Sequence, residues 1–199
     1  MPPRHRQPPI RIDPIRLGRL IKQRKAAGLV ITLLLILAIM LLDHWAGVLP
    51  VDDDWHRYHG QSFDVLRVID GDTLELAVPD GEKMTTRVRL WGVDTPEMHT
   101  NDPNTPPDPF AEQATDFARQ NLQGQRVTLH LQEHRFRGGY GRLLAYIELP
   151  DGRDLSAMLI KNGLSEHDDR WGHDRNLAYE ALERQARENR RGLWGPGNP

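Results

Sequence analysis

Alternating apolar and polar positions run through much of the chain after residue 62 and predict short strands. Three early segments show this period of two: FDVLRVI (63–69), LELAVP (74–79) and TTRVRLWGV (85–93). The sequences DGDT and PDGEK between them are typical of turns. Two later segments, RVTLHLQEH (126–134) and LLAYIELP (143–150), flank the glycine-rich FRGGYGR. The pattern therefore predicts five strands.

Three other segments show helical spacing. Residues 109–123 carry apolar side chains three and four positions apart. A short helix through Lys161 is predicted to begin at a capping residue, either Asp154 or Ser156. The last predicted helix, 174–189, has one apolar stripe formed by Leu177, Ala181, Leu182 and Ala186. Five strands with interspersed helices indicate an α+β fold, in the form of a small Greek-key β-barrel of the OB type.

The N-terminal part differs, because residues 26–42 form an uncharged apolar run. As a helix this run spans about 26 Å, close to the roughly 30 Å hydrocarbon core of a bilayer. Basic residues precede it, which predicts a single-pass anchor with a cytoplasmic N-terminus and the rest exported, to the periplasm or the cell exterior. A cleaved signal peptide is the alternative. The expected organisation is a basic segment (1–25), a transmembrane helix (26–42), a stalk (43–62), a globular domain (63–195) and a tail (196–199).

Composition and charge limit the chemistry of the exported part. The chain has no cysteine, which excludes disulfides, thiolate metal ligands and cysteine nucleophiles. Residues 1–25 hold eight basic residues and one acid, a net charge of +7. Residues 26–199 hold the other 18 basic residues and 27 acids, a net charge of −9. A polyanionic substrate would therefore be bound by a local positive cluster, since the average field repels it.

Three short motifs place charged side chains at the ends of predicted strands: DGDT (70–73), RLWGVDTPE (89–97) and YGR (140–142). Each motif alone is common in turns, but together they supply several carboxylates and two arginines. Carboxylate oxygens suit Ca²⁺ or Mg²⁺. Paired guanidinium groups can clamp a phosphate, and a further carboxylate can take a proton from water. The set indicates hydrolysis of a phosphodiester.

With these motifs in this order, residues 63–195 resemble the thermonuclease family, whose type member is staphylococcal nuclease. The resemblance rests on VIDGDT (68–73), RLWGVDTPE (89–97) and YGRLLAYI (140–147), and AMLIKNGLS and ARENRRGLW add to it. It implies an OB-type five-stranded Greek-key barrel with three helices. It also implies a nuclease that cleaves DNA and RNA to 3′-phosphate and 5′-hydroxyl products, and we expect it to prefer single strands.

The resemblance further implies a metal site. Asp72 and Asp94 would supply side-chain oxygens to Ca²⁺, and Thr95 would supply its backbone carbonyl. Asp70 would lie near the ion without being an obvious ligand. Ca²⁺ is therefore the expected cofactor.

The remaining matched positions imply catalytic and substrate-binding roles. Glu97 would be the general base, and Arg89 and Arg142 would bind the scissile phosphate and stabilise the transition state. Tyr140 matches a tyrosine at the nucleotide-binding edge. From charge and position, two further arginines at neighbouring strand ends are predicted to bind substrate: Arg87 and Arg137.

Two alternatives to an active nuclease stay open at this stage. One is a catalytically silent OB-fold module that binds single-stranded nucleic acid or a protein partner at the membrane. The other is an envelope scaffold that only spaces or recruits partners. The nine histidines follow no recognised metal-binding spacing, and each is predicted to be a surface residue. The segment SEHDDRWGHDRN departs from the tyrosine-rich segment of the family, so nucleotide contacts there are not transferred.

Overall fold

The computed structural model describes residues 28, 30–41, 54–100, 102 and 104–196. Contacts divide the chain into two units, Met1–Val51 and Asp52–Pro199. Predictions for residues 1–25, for positions 26, 27, 29 and 42 of the apolar run, for 43–53 and for 197–199 lie outside the described residues.

In the first unit, residues 30–41 are helical and their large apolar side chains are 50–65% exposed. Within the described residues, no helix is both long enough and apolar enough to cross a membrane. The transmembrane helix predicted at 26–42 includes positions outside the described residues and stays a prediction.

The second unit is built on a closed five-stranded barrel. The barrel strands are β1 (Ser62–Val68), β2 (Thr73–Leu76), β3 (Thr86–Leu90), β5 (Arg126–His130) and β6 (Leu143–Glu148). Their order around the barrel is β1-β2-β3-β6-β5. All neighbours are antiparallel except β3 and β6, which are parallel. The predicted five-stranded barrel is confirmed, and every strand except β1 is shorter than its apolar pattern suggested.

The third predicted strand is broken at Trp91 and Gly92. Gly92 has a φ of +73°, and a Cβ at this position would lie 2.7 Å from the Tyr179 ring. Only glycine fits such a left-handed and crowded position without strain. The chain therefore leaves the barrel here and forms a separate short strand, β4 (Val93–Asp94), which pairs with β7 (Glu166–His167).

Four α-helices pack around the barrel within the described part of this unit: α1 (Asp54–Tyr58), α2 (Ala111–Leu122), α3 (Leu155–Lys161) and α4 (Asn176–Glu188). The three longer helices match the three predicted ones. Asp154 is the cap of α3, because its side chain accepts a hydrogen bond from the backbone N of Ser156 at 2.9 Å. In α4, Leu177 is 80% exposed and does not belong to the buried stripe, whereas Tyr179 is buried.

The short helix α1 corrects the predicted stalk at 43–62. Tyr58 is fully buried in the barrel core, and its hydroxyl lies 3.1 Å from Thr86 Oγ1 of β3. Ser62 already begins β1. A single helical turn is too short to show a periodicity, which is why this segment gave no pattern. Residues 54–62 therefore belong to the globular unit and are not part of a linker.

Candidate active site

Asp72 lies in the turn directly before β2, and it is only 1% exposed. Its Oδ1 accepts hydrogen bonds from Arg89 Nη1 at 2.5 Å and from Thr73 Oγ1 at 3.1 Å. Its Oδ2 accepts from the backbone N and the Oγ1 of Thr95, both at 2.9 Å. Burial raises the pKa of Asp72 to about 7 against the opposing effect of Arg89, and the nearby Asp70 adds to the rise. This carboxylate thus has several donors, yet its surroundings still disfavour its charge.

Arg89 joins Asp72 to a second carboxylate. Its side chain is 11% exposed, and its Nη2 donates to Asp94 Oδ1 at 2.6 Å and to the Val93 carbonyl at 3.2 Å. The register of β2 and β3 sets Arg89 opposite Thr73, one residue from Asp72. The turn after β3 returns the chain so that Asp94 meets the same guanidinium group. One buried arginine therefore holds both predicted metal-ligand carboxylates together.

A second arginine, Arg170, reaches this cluster from the loop between β7 and α4. Arg170 Nη2 donates to Asp94 Oδ2 at 2.9 Å and to Asp168 Oδ2 at 2.7 Å. Each carboxylate oxygen of Asp94 therefore accepts from a different guanidinium group. Sequence reasoning missed Arg170, because it is 76 residues from Asp94. The mixed charges of EHDDRWGHDR were the one local signal.

Next to Asp94 lies a cleft of about 430 Å³ lined by four acids: Asp94, Glu97, Asp108 and Glu166. The Glu97 side chain is exposed, and its backbone N donates to Asp108 Oδ2 at 3.1 Å. Asp108 Oδ1 lies 3.0 Å from His99 Nε2, which ties the two ends of the proline-rich loop together. Glu97 is thus presented to solvent in a cleft that borders the Arg89 cluster.

Arg142 lies between this cluster and a second cleft of about 260 Å³. Its Nη1 lies 3.5 Å from Thr73 Oγ1, whose hydroxyl donates to the buried aspartate described above. Arg142 also lines the second cleft together with Tyr140 and Arg87. Tyr140 is 98% exposed, and Arg87 pairs with Glu75 at 3.0 Å while its side chain stays 54% exposed. These three side chains are therefore accessible to a ligand.

Arg137 does not itself line the second cleft, although it contacts two residues that do, Asp80 and Gly141, the latter through its carbonyl at 3.1 Å. Its guanidinium group donates to both oxygens of Asp54 at 2.6 Å and to those of Asp80 at 2.6 and 3.0 Å. The side chain is 28% exposed. Arg137 therefore ties α1 to the turn between β2 and β3, and its donors are already used. These ion pairs favour a structural role for Arg137 over its predicted role in binding substrate.

The predicted metal site contains few ligating side chains. Across the residues that the structure describes, no group of three or more His, Asp or Glu side chains is arranged to hold a metal ion. The predicted set has only two such side chains, Asp72 and Asp94, with a backbone carbonyl as the third donor. In the structure the carboxylates of Asp72 and Asp94 are bridged by Arg89.

Several known proteins are similar to this chain. Residues 87–196 match the family of staphylococcal nuclease homologues. A thermonuclease of Staphylococcus intermedius is 32% identical over 83% of this chain and 95% of its own length. A thermonuclease of Staphylococcus hyicus is 35% identical over 67% of the chain and 76% of its own length. An Escherichia coli protein described as an uncharacterized endonuclease is 31% identical over 71% of the chain and 80% of its own length. The chain therefore belongs to the family of staphylococcal nuclease homologues.

Proposed function

We propose that this protein is a Ca²⁺-dependent, sugar-non-specific nuclease that hydrolyses phosphodiester bonds of DNA and RNA to 3′-phosphate and 5′-hydroxyl products. The observation that carries this proposal is the cluster in which Arg89 joins the buried Asp72 to Asp94, at the edge of the cleft that holds Glu97. Membership of the family, and the similarity to two thermonucleases and an endonuclease, support it.

The donor chemistry fits a hard divalent cation. Burial raises the pKa of Asp72, so this site lacks enough positive charge to stabilise its carboxylate fully. A divalent ion would supply that charge, and oxygen-only donors favour Ca²⁺ or Mg²⁺ over zinc. Asp72, Asp94 and the Thr95 carbonyl would hold it. When bound, Ca²⁺ would act as a Lewis acid toward the phosphate oxygens.

The two arginines of the motifs would bind the scissile phosphate. Arg89 is held rigidly by two carboxylates, so its orientation is fixed before substrate arrives. Arg142 is less constrained, with contacts of 3.4–3.5 Å to the Gly139 carbonyl and Thr73 Oγ1. Guanidinium groups aimed at phosphate oxygens stabilise the charge that develops as the fifth oxygen approaches phosphorus.

Glu97 would act as the general base. Its exposed carboxylate faces a cleft large enough for water and substrate. It would accept a proton from the attacking water as the new P–O bond forms and the P–O5′ bond breaks. The 5′ oxygen then takes a proton from solvent, and the phosphate stays on the 3′ side.

The second cleft favours an unpaired strand as substrate. Tyr140 presents an almost fully exposed ring beside Arg87 and Arg142. An exposed ring can stack on a base, and only unpaired bases offer both faces for stacking. The nearby arginines can bind the adjacent phosphates. We therefore propose that single strands are cleaved faster than duplexes.

We also propose that the apolar run 26–42 tethers the protein to a membrane, with the nuclease unit outside the cytoplasm. The exposed large apolar side chains of residues 30–41 support this, because water does not favour a continuous apolar surface. Fractionation tests it: the protein should stay with membranes through carbonate extraction. A dominant soluble form that starts after residue 46 would contradict the tether but not the nuclease.

The test of activity is cleavage of single-stranded DNA and RNA by the purified full chain, with Ca²⁺ and with excess chelator. Wild type should cleave both with Ca²⁺, chelator should stop cleavage, and the products should carry 3′-phosphates. Asp94→Asn should reduce turnover strongly with little change in the melting temperature. Binding of single strands without cleavage would instead support a silent OB module, and full activity in chelator would refute the metal assignment.

A further inference from the structure

Two histidines converge beside the active site, in the segment that sequence reasoning could not transfer from the family. His167 lies on β7 and His173 lies shortly before α4. Their Nε2 atoms are 3.3 Å apart, and their rings are nearly perpendicular, at 77° with centroids 5.4 Å apart. Both residues are half-buried.

The hydrogen bonds around His173 determine which nitrogen carries its proton. The Tyr146 hydroxyl has a single proton, and it donates that proton to Asp174 Oδ1 at 2.8 Å. The Tyr146 hydroxyl oxygen also lies 3.0 Å from His173 Nδ1. Because its own proton is already donated to Asp174, this oxygen must accept a hydrogen bond from Nδ1. His173 therefore carries its proton on Nδ1, and the Nε2 lone pair points toward His167. Burial raises the pKa of Tyr146, which keeps the hydroxyl protonated.

We propose that His167 and His173 form a binding site for a divalent transition-metal ion of the Zn²⁺ class. Two nitrogens bonded to zinc at about 2.0–2.1 Å in tetrahedral geometry lie about 3.3 Å apart, which is the separation found here. In the metal-free protein the same separation allows His167 Nε2–H to donate a hydrogen bond to His173 Nε2. Imidazole nitrogen is a ligand that zinc prefers, whereas the oxygen donors at Asp72 and Asp94 suit harder ions.

The surroundings are those of a prepared ligand pair. A metal-bound imidazole usually donates its other N–H to an oxygen that fixes the ring, and Tyr146 does this for His173. Burial and the neighbouring His167 lower the pKa of His173, so the ring is neutral at neutral pH. Glu183 lies close by, because its Oε1 accepts from the His167 backbone N at 3.3 Å. Water would complete the coordination, since both rings are partly exposed.

A metal ion bound by the two histidines would hold together the two ends of the loop that contacts the active site. Residues 168–172 lie between the two histidines and include Arg170, which contacts Asp94. The His173 ring also packs on the turn between β3 and β4, because a Cβ on Gly92 would lie 2.8 Å from its Cε1. A bound ion would therefore fix both the loop and the turn. Any effect on cleavage rests on the proposed function, but the metal site itself does not.

The test is a Zn²⁺ titration of the full chain at pH 7.5, in competition with a colorimetric chelator and with Co²⁺ absorbance as a second probe. Wild type should bind one equivalent, and Zn²⁺ should raise its melting temperature. His167→Gln and His173→Gln should each weaken this binding at least about tenfold, whereas the exposed histidine variant His56→Gln should not. Tyr146→Phe keeps both imidazoles and should weaken binding about 10- to 100-fold through the lost orienting oxygen.

Imidazole ¹⁵N spectra of the wild type add a readout that does not depend on whether the variants fold. Zn²⁺ should shift the Nε2 signals of the two paired histidines and leave the others unchanged. A metal bound only by the carboxylate cluster would persist in both histidine variants. That result, unchanged Nε2 signals, or the absence of saturable binding would overturn the proposal.

Discussion

Replacing Asp72 with asparagine should stabilise the cation-free protein at neutral pH while removing the proposed metal site. The folded state raises the pKa of Asp72 from its ordinary value to about 7, chiefly through burial. The folded protein then binds a proton more tightly than the unfolded chain does. In chelator, the free energy of unfolding should therefore fall as pH rises from about 4 to about 7.

The size of the effect follows from the pKa difference. A rise of about three pH units, at about 1.4 kcal/mol each, corresponds to at most about 4 kcal/mol lost by pH 7. Asparagine removes that loss because it carries no charge. Its amide cannot satisfy both Arg89 and Thr95 as the carboxylate does, which costs about 1–2 kcal/mol. We expect Asp72→Asn to gain about 1–3 kcal/mol at pH 7 and to gain nothing near pH 4.

Urea unfolding followed by tryptophan fluorescence, at several pH values in chelator, measures this difference. Glu97→Gln is the matched control, since it removes one exposed carboxylate from the adjoining cleft. Adding Ca²⁺ should stabilise wild type by mass action and should leave Asp72→Asn almost unchanged. A variant that is less stable than wild type at pH 7 by an amount independent of pH would refute this reasoning.

Three further predictions follow from single contacts. Arg137→Gln should lower the free energy of unfolding by about 2 kcal/mol in urea titrations, because two carboxylates lose their partner, and it should leave oligonucleotide affinity unchanged. Weaker binding with intact stability would restore its predicted substrate role. Gly92→Ala should lower the free energy of unfolding by about 2–4 kcal/mol in the same titration, since its Cβ would clash with Tyr179 at positive φ. A loss below about 1 kcal/mol would argue against this crowding. Arg170→Gln should raise Ca²⁺ affinity about two- to fivefold in calorimetric titrations, because Arg170 competes with the ion for the Asp94 carboxylate. A lower Ca²⁺ affinity of this variant would contradict that competition.

The barrel could be predicted because its signals are local. Each strand alternates over a few residues, and the helix 109–123 was predicted within two residues of Ala111–Leu122. The predicted ends of strands and helices were less accurate where tertiary contacts decide them. The sequence pattern places Gly92 inside a strand, and only the packing of Tyr179 against it shows why the strand ends there. Helix α1 shows no periodicity because it is one turn long.

The site residues likewise divide into those that local motifs reveal and those that only the fold brings together. Asp72, Arg89 and Asp94 lie in recognisable motifs, and the structure brings them together as expected. Arg170 joins them only through the fold, across 76 residues of sequence. Arg137 shows the converse case: its charge is visible in the sequence, but its partners Asp54 and Asp80 are distant along the chain. Charge alone does not distinguish a free arginine from a paired one.

The most direct test of the central claim is the turnover of Arg142→Ala on a short single-stranded oligonucleotide at saturating Ca²⁺. Arg153→Ala is the control, because Arg153 is an exposed arginine paired only locally with Asp151. Loss of a preorganised charge aimed at the transition state should slow cleavage about 10²-fold or more, and the control should cleave like wild type. Unchanged turnover of Arg142→Ala would show that the phosphate is not held and cleaved at this cluster.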